Sequence, residues 1–66
     1  MISDPDIFLA AKLVIDQHGR EADAFAERRA HLLMTEDDAD GALVWRRILE
    51  AIRELQRERR EGEPVN

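Results

Sequence analysis

Cysteine is absent from the 66 residues. That excludes disulfides, thiolate metal ligands and a thiol nucleophile. Tyrosine is absent as well, and one tryptophan and two phenylalanines are the whole aromatic content. Valine, isoleucine and threonine are too sparse for a sheet. Imidazole comes only from His18 and His31. These fall on different predicted helices, short of the three or four ligands that zinc requires. The longest purely apolar runs, Ile7–Ala11 and Ala42–Trp45, are far too short to span a bilayer. The N-terminus has no basic stretch followed by an apolar one, so no signal peptide is read there and a cytoplasmic location is expected.

What is present points to helix. Alanine, leucine, glutamate and arginine dominate, and all four favour helix. An apolar fraction of 44% with a charged fraction of 38% suits amphipathic helices better than a disordered chain. The net charge of −5 is unevenly placed. Residues 1–41 carry ten acids and four bases, whereas residues 42–66 carry five acids and six arginines. An acidic protein is a poor default for nucleic acid or anionic membranes.

Start and stop signals predict an all-α, three-helix single domain, with helices at about 4–18, 21–34 and 39–60 and short loops between them. The third is expected to be the longest. The domain is expected to cover 1–61, with 62–66 as a disordered tail. Asp4-Pro5 opens the first helix, since Asp caps free N–H groups and Pro fits the first turn. Gly19 supplies the left-handed residue that ends a helix. Ile7, Ala11, Val14, Ile15 and His18 share one face, with Phe8 at its edge, while Leu9 and Leu13 project from the other side.

In the second helix Ala22, Phe25, Ala26, Leu32 and Leu33 are the expected buried face, and Arg29 projects from its middle. Asp37 or Asp38 is the expected cap of the third helix. There Val44, Trp45, Ile48, Leu49, Ala51, Ile52 and Leu55 cover an arc of roughly 160°, wider than the usual stripe of about 100°. So wide a face suits packing against two neighbours.

The candidate sites are few. Glu36, Asp38, Asp40 and Gly41 match the start of a calcium loop, but position 12 is Arg47 where a bidentate carboxylate is needed. Capping explains the acids instead. No triad, metal set, phosphate loop or paired buried carboxylates appear, so no catalytic residue, metal or cofactor is expected.

Arg29 must snorkel or find acceptors, with Asp16 or Asp40 as candidate partners, or else centre an anion or partner site. Trp45 is read as core or core edge, its indole N–H directed to a polar group. Arg46 with Glu50, Glu50 with Arg53, and Arg57 with Glu61 are expected surface pairs. Leu9 and Leu13, one turn apart, suggest more apolar surface than a chain this short can cover alone.

Leu9, Leu13, Arg29 and Trp45 are therefore the candidate partner-binding residues. The expected role is a self-associating interaction module, most simply a homodimer. The alternative is a nucleic-acid-linked regulator using Arg46, Arg53, Arg57 and Arg60, which the interleaved glutamates make less attractive.

The run Asp4-Pro5-Asp6-Ile7, the string Ala10-Ala11-Lys12-Leu13-Val14-Ile15-Asp16-Gln17-His18-Gly19, the Asp40-Gly41-Ala42 turn, and the Val44-Trp45-Arg46-Arg47-Ile48 and Ala51-Ile52-Arg53-Glu54-Leu55-Gln56 blocks resemble a family of short proteobacterial proteins. That family is a domain of unknown function. The resemblance runs from about residue 4 to residue 57 and implies a bacterial cytoplasmic protein without implying an activity. The helix, acidic turn and helix after residue 21 are also loosely similar to a tetratricopeptide hairpin, although the small-residue spacing does not hold.

Overall fold

The computed structural model describes the backbone of residues 4–62 and the side chains of residues 4–57. The fold is all-α, as expected, but it has two helices and not three. The first helix, α1, is an unbroken helical run over residues 4–35 and, at 32 residues, is the longest. Its two arms, Asp4–His18 and Ala22–Thr35, are joined by a single 3₁₀ turn, Gly19–Glu21. The second helix, α2, spans Ala39–Gly62, 24 residues. The expected three-helix arrangement, and the expectation that the last helix is the longest, are both overturned.

The reason lies at Gly19. It adopts φ +60, the left-handed conformation that a helix-ending glycine takes. No loop follows it. The Ala22 N–H donates back to the Gly19 carbonyl, and helical geometry resumes at once. A left-handed residue thus turns the run without interrupting it.

The turn redirects the chain along α2. Asp4, Ile7 and Phe8 lie beside Arg47, Glu50, Ala51 and Glu54. At the turn, the Gln56 side-chain amide donates to the Gly19 carbonyl. Beyond it, Glu27 lies beside Arg53, and Met34 shares a groove with Arg46 and Leu49. The second arm therefore runs antiparallel to α2, and α2 contacts both arms of α1, as its wide apolar face requires.

The connection at residues 36–38 is a Schellman turn fused to an N-cap. Asp37 adopts φ 66. The Asp38 N–H donates to the Leu33 carbonyl at 2.8 Å, and the Asp37 N–H to that of Met34 at 3.1 Å. The Asp38 carboxylate then accepts the Gly41 N–H at 3.0 Å, capping α2 as one of the two expected residues. The expected tail 62–66 lies outside the described residues except for Gly62, the last residue of α2.

The core joins Ile7, Ala11 and Val14 of the first arm, Ala22 and Ala26 of the second, and Ile48, Leu49, Ala51 and Ile52 of α2. The expected face of the first arm is buried, with Ile15 and His18 half-buried. The second arm departs from expectation. Leu32 is exposed and Leu33 only half-buried, whereas Ala30 is buried. Ala22, Ala26 and Ala30, four residues apart, form the inner ridge. Small side chains at this spacing let two backbones approach closely, and the neighbouring leucine is turned outward.

Candidate interaction surface

No polar or charged side chain is buried among the described residues. No group of three or more His, Asp or Glu residues among them could hold a metal ion. Three features of the surface stand out.

The first is a chain of rings. His18 stacks on Phe25 with centroids 4.0 Å apart and planes 18° from parallel. Phe25 meets Trp45 edge-on at 5.8 Å and 73°. The Arg29 guanidinium caps the series, its Cζ 5.9 Å from the Trp45 ring centroid. That distance lies within cation–π range. Arg29 is thus exposed and snorkels out of the interface, as its place among apolar residues demands. Its contact is an aromatic face, not the expected Asp16 or Asp40. Trp45 is half-buried at the core edge, as expected. Its indole N–H makes no hydrogen bond among the described residues, and its contacts there are with the Phe25 ring and the Arg29 guanidinium.

The second feature is the outer face of the first arm. Leu9 is 59% exposed and Leu13 54%. Both project opposite Ile7, Ala11 and Val14, and α2 does not wrap them. On the same outer face lie Asp16 and Gln17, both exposed.

The third feature is one that sequence reasoning missed. A groove of about 900 Å³ opens between the second arm and α2. Ala30, Leu32, Met34 and Leu49 supply its apolar lining, and Arg28 and Arg46 stand in its wall. Glu27 and Arg53 cross it as an ion pair at 3.7 Å. The signal in the sequence was Ala22, Ala26 and Ala30, which fix the rotation of the second arm and turn Leu32 and Met34 outward.

Arg53 bonds across to α1 and not to Glu50 on its own helix, and Arg46 and Glu50 form no ion pair with each other. The pair expected of Arg57 and Glu61 falls outside the described side chains. Of the four candidate residues, the structure joins Arg29 to Trp45 and sets Leu9 and Leu13 on a separate face.

Among the described residues, six of the eleven buried apolar side chains are alanine. The larger ones inside are Ile7, Val14, Ile48, Leu49 and Ile52, whereas Phe8, Leu9, Leu13, Leu32, Met34 and Leu43 remain exposed. Among the described residues, more large apolar side chains face solvent than are buried. Among the described residues no helix is long and apolar enough to cross a membrane.

Compared with family models, curated proteins and solved structures, the chain matches none.

Proposed function

We propose that this chain is a helical protein-interaction module that associates with itself through apolar helix faces. The observation that carries the reading is the exposure of Leu9 and Leu13 on the face opposite the core. A core built largely of alanine removes little apolar area from water, at about 25 cal/mol per Å². A chain of this length has little stability to spare. Covering the remaining leucines in a second copy adds the missing burial, and a twofold dimer does so with a single kind of contact. A non-enzymatic role, a cytoplasmic location and the absence of a membrane partner belong to the same proposal.

Light scattering coupled to size exclusion, over a range of loading concentrations, tests this. The mass should rise from 7.6 kDa toward twice that value. Leu9→Glu with Leu13→Glu should hold it at the monomer while helicity is kept. A wild-type chain that stays monomeric throughout removes the proposal. The nucleic-acid reading has less support, because Arg53 is engaged by Glu27 and α2 carries glutamates among its arginines.

A further inference from the structure

The geometry points to a specific occupant for the groove between the second arm and α2: the Leu9–Leu13 face of a second copy. The inference rests on the self-association reading and adds the pairing of surfaces.

Three observations carry it. The groove has a mainly apolar floor, with Met34 56% and Leu32 46% exposed in its lining. Such a groove accepts an amphipathic helix by its residues at i, i+4 and i+7. The outer face of the first arm presents the i and i+4 pair as Leu9 and Leu13, with the carboxylate of Asp16 a further turn along.

The charges match as well. Glu27 is engaged with Arg53, which leaves Arg28 and Arg46 as the surplus cations of the groove. This positive groove belongs to a protein of net charge −5. The helix face that would enter it carries Asp16, with Lys12 at its edge. The same face laid on its own copy would offer Asp16 neither Arg28 nor Arg46, so it lacks the cations that the groove supplies. A reciprocal twofold arrangement, each copy's face in the other's groove, forms both contacts at once and closes the assembly.

The test uses two variants of the full chain. In the first, Leu9→Glu and Leu13→Glu spoil the face. In the second, Met34→Glu and Arg46→Glu spoil the groove. All four positions are exposed, and circular dichroism verifies that both variants keep the helicity of the wild type.

Each variant alone should be monomeric at concentrations where the wild type associates. Mixed, they should regain a 1:1 complex, because the first retains an intact groove and the second an intact face. A groove variant that dimerises as well as the wild type would overturn the pairing and leave self-association standing. A mixture that stays monomeric would also overturn the pairing. A wild type that never associates would remove the broader reading too.

Discussion

The side-chain amide of Gln56 donates to the carbonyl of Gly19 at 3.0 Å, joining positions 37 apart in sequence. This bond ties the one left-handed turn of α1 to the far part of α2. It satisfies a carbonyl at the point where the first arm gives way to the second. Gln56→Ala should cost about 1 kcal/mol, the usual net worth of one such bond. Chemical denaturation of the variant checks it.

Gly19 should be intolerant of any side chain for a reason of backbone alone. A Cβ placed there meets nothing within 4 Å, yet φ is +60. Gly19→Ala should therefore destabilise by about 1–2 kcal/mol, the cost of the left-handed region for an L-residue. A loss below a few tenths would show that the turn relaxes to another conformation.

The connection between the helices contains opposite effects at adjacent positions. Asp38→Ala removes the cap of α2 and should cost about 1 kcal/mol. Asp37 sits at φ 66, where glycine is at ease. Asp37→Gly should leave stability unchanged or raise it by up to about 1 kcal/mol. Paired urea titrations of the two variants decide the signs.

Arg29 and Trp45 form a coupled pair. Arg29→Met keeps an unbranched apolar stem and removes the charge over the ring. It should lower stability by about 0.5–1 kcal/mol, the range for exposed cation–π contacts. In a Trp45→Leu background the same change should cost nothing. A double-mutant cycle reads the difference.

Much of this arrangement is legible in the sequence. The start of α2 near Ala39, a cap at Asp37 or Asp38, and the Ile7, Ala11 and Val14 face follow from capping and periodicity. The breadth of the Val44–Leu55 face implies two neighbours, and the structure meets it with the two arms of a single helix, α1. The continuity of α1 is not legible, because a left-handed glycine can close a helix or turn it. The outcome depends on the 3₁₀ bonding that follows.

Periodicity alone places Leu32 inside, because hydrophobicity outweighs alanine in such a count. In the structure close approach decides, and Ala22, Ala26 and Ala30 provide it. Arg53 illustrates the same limit for charge. A neighbour on the same helix is visible in the sequence, whereas Glu27 on the other helix becomes one only through the fold.

The central claim is that this chain has more apolar helix surface than its own core covers, and that a second copy completes it. The concentration dependence of thermal unfolding tests it most directly, since a species that binds the folded form raises the midpoint by mass action. The account predicts that the midpoint climbs with protein concentration and that Leu9→Glu with Leu13→Glu flattens the dependence. A wild-type midpoint constant over the whole concentration range would contradict it.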